Sequence, residues 1–251
     1  MNRSMLKLCA VHLAANALLL WLGYGWLGVG ESTGLRLAWS AVEALLIVAL
    51  VCWLYGATLV FFGLEEPRLN DAFRGALRHL APLMLAAMAV LVVYGAIAWA
   101  AGAAGQPAFK IASWMTLKLR KPVRPAAVLR VFQAAIWVVR WVVVPVAAAR
   151  MFSGIAARGW RGFPAFSWRR AGWRYWVTVP VLLAVAILVP GWLLGWIPRR
   201  GSFAMEIVSF SMRALAAYLL FVGGLVALCW RTAVGVRGAV RKSPAVAAPP
   251  A

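Results

Sequence analysis

Acidic residues are scarce in this sequence. Six Asp and Glu stand against 26 Lys and Arg in 251 residues, giving a formal net charge of +20. Charged residues of either sign amount to only 13%, about half the share in an ordinary soluble domain. That scarcity excludes a soluble shell, because a chain that is 65% hydrophobic with a mean hydropathy of +0.85 would leave a water-facing surface as greasy as its core. Paired cysteines are also missing. Cys9, Cys52 and Cys229 each lie inside an apolar run with no second Cys at C-x-x-C spacing, which removes the usual zinc and disulfide patterns and leaves buried structural thiols as the reading. There is no G-x-S-x-G, P-loop or Rossmann fingerprint, so no catalytic site, metal or cofactor is expected. No separate polar domain exists to turn the positive charge toward nucleic acid.

The sequence is rich instead in long apolar runs. Six are long enough to cross a hydrocarbon core of about 30 Å, which takes about 20 helical residues: approximately 8–28, 36–62, 79–102, 126–150, 175–197 and 205–230. Lipid offers backbone amides no partner, so each run must be a helix, and a membrane barrel would show short alternating segments instead. The expected fold is all-α: a polytopic transmembrane bundle forming one integral membrane domain over 1–242. The first run, MNRSMLKLCAVHLAANALLLWLGYGWLG, outlasts the apolar core of a signal peptide and reads as an uncleaved span. The tail SPAVAAPPA at 243–251 reads as disordered.

Basic residues set an orientation. With the N-terminus in the cytoplasm, 15 fall on the inner side and nine on the outer side, so both termini are expected to be cytoplasmic in a bacterial-type inner membrane. The segment FKIASWMTLKLRKPVRP works against this bias, since Lys110, Lys118, Arg120, Lys121 and Arg124 are left outside. It is either a short helix lying along the interface or a sign that the number of spans is off by one.

The inner loops echo each other. FRGALRHLAPLMLA at 73–86 aligns without gaps on RRAGWRYWVTVPVLLA at 169–184, placing Arg74 on Arg170 and Arg78 on Arg174. A duplicated helix–loop–helix unit is one explanation, and chance recurrence of basic and small residues at span ends is the other. The stretch GLEEPRLNDAFRGALRHLAPLMLA resembles the amphipathic linker before an apolar span in uncharacterised bacterial multispanning membrane proteins, similar to the membrane region attached to some glycerophosphodiester phosphodiesterases. The resemblance implies a multispanning fold; the catalytic domain of those enzymes has no counterpart in these 251 residues, so it implies no activity.

Ionisable groups at membrane depth cost about 2.5–3.5 kcal/mol on insertion scales. Glu43 lies within WSAVEALLIVALVCW and Arg140 within VFQAAIWVVRWVVVPVAAA. The offset of the echo puts them at matching depths, which predicts a Glu43–Arg140 pair inside the bundle. Otherwise Glu43 sits near the outer headgroups and Arg140 snorkels. Glu206 and Arg213 share a helix face, with interfacial anchoring the expected role. His12 and Asn16, four apart, share a face of the first span, where an interhelical hydrogen bond is the commoner outcome and a polar path the other. Glu65, Glu66 and Asp71 precede His79 in a loop with neither H-E-x-x-H nor a D-x-D core, and Asn70 or Asp71 is expected to cap the helix FRGALRHL. Pro145, Pro180 and Pro190 predict interruptions in spans four and five.

The most basic and most aromatic stretch is RGWRGFPAFSWRRAGWRYW at 158–176. Tryptophan prefers the headgroup zone, and an arginine beside it can bind lipid phosphate with its stem kept apolar. Arg158, Arg161, Arg169, Arg170 and Arg174 with Trp160, Trp168 and Trp173, together with Arg74 and Arg78 of the other inner loop, form the candidate surface for anionic membrane lipids or a protein partner. The expected function is that of a structural or accessory membrane protein without its own catalytic site. The alternatives are a small transporter or channel with Glu43 and Arg140 near its pathway, or a lipid-acting enzyme using the Glu65–His79 loop.

Overall fold

A computed structural model describes residues 3–30, 32–163, 172–196 and 202–241, with side chains through residue 235. The tail at 243–251 lies outside the described residues, as does the segment 164–171, which holds the start of the second copy, 169–184, of the expected duplication. The described regular structure is all helical: α1 (Arg3–Leu27), α2 (Gly34–Gly63), α3 (Leu69–Arg78), α4 (Leu80–Ala103), α5 (Gly105–Leu119), α6 (Pro125–Val138), α7 (Val144–Arg158), α8 (Trp173–Leu183), α9 (Val189–Gly195) and α10 (Phe203–Arg241). A π-helical segment, Val139–Val143, joins α6 to α7, and another, Ala184–Leu188, joins α8 to α9. Six helical stretches are long and apolar enough to cross a membrane: Arg3–Leu27, Gly34–Gly63, Leu80–Ala103, Pro125–Gly162, Trp173–Gly195 and Phe203–Gly235. The chain has a multi-pass, all-α membrane architecture.

Helix α2 is the central strut, packing against α1, α3, α4, α7 and α10. Its C-terminal half is the most enclosed part of the molecule, with Cys52, Leu54, Ala57, Thr58, Leu59 and Phe61 all buried. Gly56 makes room for α4, since a Cβ there would stand 2.7 Å from Leu83 Cδ1. The α1–α2 hairpin is tied near its far turn by Trp26, whose indole N–H donates to the Ser40 hydroxyl at 2.9 Å.

Two aromatic zones mark where the bilayer fits. Exposed Trp21, Tyr24, Trp39, Trp99 and Trp192 cluster at one end of the helices, and Trp160, Trp173 and Trp230 at the end carrying the N-terminus. From Trp173 to Trp192, as from His79 to Trp99, the chain climbs about 30 Å at 1.5 Å per residue, the thickness of a hydrocarbon core. Between the zones leucine, valine and isoleucine predominate among the exposed large side chains, suited to acyl chains.

The segment that disturbed the charge bias is not a seventh span. Helix α5 follows α4 after a single turn residue, Ala104, and pairs with α6 through a face of small buried residues, Ala104, Ala108 and Ala112. The turn between them is held by the Val123 N–H donating to Thr116 Oγ1 at 3.0 Å, and by Arg120 in the left-handed region at φ 52°. Helix α3 starts two to three residues earlier than the capping expectation. Arg68 occupies the N-cap without a side-chain bond, so Asn70 and Asp71 fall inside the first turn, where the Asp71 carboxylate favours the helix dipole instead of capping it.

Pro145 and Pro190 interrupt their spans as π segments. Each follows a five-residue π turn and a valine. A proline ring clashes with the carbonyl four residues back, and the wider π turn relieves that clash without unravelling the helix. The bulge in span five then becomes a packing surface: a Cβ on Gly224 of α10 would lie 2.7 Å from Ala186 Cβ and 3.0 Å from its Cα. Gly224→Leu should therefore lower stability by about 1–3 kcal/mol, the usual cost of forcing volume into a packed site. Thermal unfolding in detergent measures this, and a melting temperature equal to wild type would refute the contact.

Candidate functional site

The rim at the N-terminal end is assembled from separate loops. Ala72 and Ala76 seat α3 on α2, which turns Arg74 and Arg78 outward. Trp53 fixes this helix from below, its indole N–H donating to Phe73 O at 3.0 Å and its ring meeting Phe73 edge-on. At the end of α7 the chain folds back in the 3-10 turn Gly159–Gly162. Gly159 is at φ 58°, and a Cβ there would sit 2.7 Å from His79 Nδ1, while a Cβ on Gly162 would run into the backbone of Gly154. Only glycine fits these two approaches. The contact of His79 with Gly159 brings the Arg78 loop beside the Arg158 loop.

On that joined rim Arg74, Arg78, Arg158, Arg161 and Arg174 are exposed, with Trp160 60% and Trp173 73% exposed beside them. The Arg174 guanidinium lies over the Trp173 ring at 5.9 Å, and Arg150 lies over Tyr175 at 5.3 Å, joining α7 to α8. Among the described residues the one ion pair is Arg68 with Glu66, at 3.3 Å and solvent-exposed. Trp168, Arg169 and Arg170 lie outside the described residues.

A second polar group is buried in the bundle. His12 is fully enclosed and Asn16 nearly so. The hydrogens can be assigned from donors and acceptors alone. Thr58 has one hydroxyl proton, which goes to Leu54 O at 2.8 Å, so His12 Nε2 must donate to Thr58 Oγ1 at 2.6 Å. His12 Nδ1 then accepts from Asn16 Nδ2 at 3.3 Å, the same amide donates to His12 O at 2.8 Å, and Tyr55 donates to Asn16 Oδ1 at 2.7 Å. Each of these side-chain groups has a partner, as burial requires. The arrangement suits a neutral imidazole, since a second ring proton would face the Asn16 amide donor. Tyr55 and Thr58, the partners on α2, escaped the sequence reading. They are three apart on one helix face, yet nothing in a single sequence joins positions 46 residues apart.

Glu43 and Arg140 do not pair. Glu43 is half-buried and faces α1, its Oε1 4.0 Å from where a Cβ of Gly25 would stand. Arg140 is exposed on the π segment, lies over the neighbouring Trp141 ring at 5.8 Å, and its carbonyl accepts from Tyr94 of α4 at 3.1 Å. The depth match failed because α2 packs on the lower half of span four, α7, whereas the upper half packs on α4 and α5. Arg213 reaches across to the end of a neighbouring helix. Half-buried, it donates to Leu193 O at 3.1 Å and to Trp196 O, the last carbonyls of α9, with its guanidinium between the Trp196 and Phe210 rings. A cation there both satisfies orphan carbonyls and complements the helix dipole. Cys9 is partly exposed, unlike buried Cys52 and Cys229.

No family model, curated protein or solved structure matches this chain. The His12 network yields its own test. Thr58→Val leaves the His12 N–H without an acceptor and should cost about 1–2 kcal/mol, whereas adding His12→Leu removes the stranded donor as well and should restore part of the loss. Unfolding of the four proteins in a mixed-detergent titration measures the cycle; strictly additive losses would contradict the bond.

Proposed function

We propose that this chain is a structural or accessory protein of a bacterial-type inner membrane. In this reading its N-terminal rim faces the cytoplasm and holds anionic lipid headgroups. The observation that carries the reading is five exposed arginines, Arg74, Arg78, Arg158, Arg161 and Arg174, gathered on one rim with no carboxylate within ion-pair distance among the described residues. Such unneutralised charge calls for an external anion. The tryptophans interleaved with it favour a lipid phosphate over an acidic protein, because an indole ring and a guanidinium suit the same depth of the headgroup layer. Each arginine near an anionic leaflet contributes about 1 kcal/mol.

The other two readings find less support in the geometry. Glu43 and Arg140 point to different neighbours, and neither lines the groove between α1 and α10. His79 is packed against Gly159, and Glu66 is engaged by Arg68, so the Glu65–His79 loop offers no assembled acid–base set.

The five-fold Arg→Gln variant at these positions, in nanodiscs of mixed phosphatidylglycerol and phosphatidylcholine, is expected to lose its enrichment of phosphatidylglycerol by about tenfold or more. Native mass spectrometry of released protein reads that ratio. Unchanged enrichment would refute the lipid role, and reaction of Arg74→Cys only with reagents added from the periplasmic side would refute the orientation.

A further inference from the structure

Between α1 and α10 the bundle is open. The two helices touch only briefly, and the opening is a continuous groove floored by the end of α2. Its apolar section, about 390 Å³, runs between Met5, Cys9 and Leu13 on one wall and Leu219, Gly223 and Val226 on the other. A second section, about 270 Å³, shares Met5, Phe62 and Trp230 with the first and opens at the rim between Ser4, Glu65 and Pro67. Toward mid-membrane the groove is closed where the Tyr218 hydroxyl donates to Leu13 O. From Leu219 to Trp230, α10 rises about 16 Å, half of a 30 Å hydrocarbon core. The groove therefore has the depth of one leaflet.

A gap of this kind facing lipid is filled by lipid, and its mouth indicates which one. The chain carries only six acids, and one of them, Glu65, lines the second section together with Ser4 and Trp230. Glu65 has no ion pair among the described residues. Lys7, two residues from Met5, projects from the opposite side of α1. A lining that supplies a carboxylate, a hydroxyl and an indole suits an ammonium group, which can donate to the first two and pack against the third. We propose that this groove binds one phospholipid with a primary-amine headgroup, of the phosphatidylethanolamine class. One acyl chain lies along Gly223 and Cys9, and the ammonium lies against Glu65. The site is separate from the arginine rim and independent of the anionic-lipid reading.

Gly223 makes the site testable. A Cβ there meets nothing within 4 Å, so a large side chain enters the groove and not the packed interior, unlike one at the neighbouring Gly224. The full chain is reconstituted in nanodiscs of equimolar phosphatidylethanolamine, phosphatidylcholine and phosphatidylglycerol, then delipidated stepwise and weighed by native mass spectrometry. The wild type is expected to keep one phosphatidylethanolamine after the other lipids are stripped. Gly223→Phe should lose it at unchanged melting temperature, and Cys9→Phe, which fills the groove from the other wall, serves the same purpose if the first variant folds poorly. Glu65→Gln should keep a lipid but reduce the preference for ethanolamine over choline headgroups by about fivefold. The five-fold arginine variant should keep the retained lipid. Retention undiminished in both Phe variants would overturn the groove, and equal retention of phosphatidylcholine by the wild type would overturn the headgroup assignment.

Discussion

Hydrocarbon provides no hydrogen-bond partner for a backbone amide, and this constraint shapes the molecule at every level. It requires the spans to be helical, and it dictates what happens where a helix is broken. Pro145 and Pro190 each remove a donor, and the chain widens into a π turn at both places while keeping its neighbouring carbonyls engaged. Where α9 stops, its final carbonyls are met by the Arg213 guanidinium reaching across from α10. Four aliphatic hydroxyls follow the same rule: Thr58, Ser153, Thr178 and Thr232 all donate back to carbonyls three or four residues earlier, a local bond that hides a polar group inside an apolar helix.

With hydrophobicity spread over every surface, the contacts that make the bundle specific are the small and the polar ones. Lipid solvates leucine as well as another helix does, so packing and interhelical hydrogen bonds must select partners. Gly56 against Leu83, Gly159 against His79 and Gly224 against Ala186 are places where two elements approach as closely as a missing side chain allows. The His12–Thr58 bond plays the complementary part for α1 and α2, joining two helices that would otherwise present interchangeable apolar faces.

The two lipid-facing features differ in kind. The arginine rim is a broad, wet surface whose attraction depends on charge number and is weakened by salt. The α1–α10 groove is a narrow, mostly apolar slot with one carboxylate at its mouth, where shape does the selecting. Glu65 stands at that mouth, whereas its neighbour Glu66 is taken up by Arg68.

Much of the architecture is legible in the sequence. The six apolar runs fall on the six long helices, most ends agreeing within a few residues, because run length and hydropathy alone decide what can be dissolved in a bilayer. The charge and aromatic content of the 158–176 stretch likewise belongs to the primary sequence. Pairing was not legible. Glu43 and Arg140 matched in depth but lie on helices that do not meet at that level, and α5, whose helical projection lacks a clean apolar face, found its place by laying alanines against α6. The destination of Arg213 was equally hidden, since an exposed helix end twenty residues away leaves no mark near it in sequence. Solvation by lipid is a property of each segment taken singly and can be read one run at a time. Which face meets which is a property of pairs, set by close approach and donor–acceptor balance, and only the folded bundle decides it.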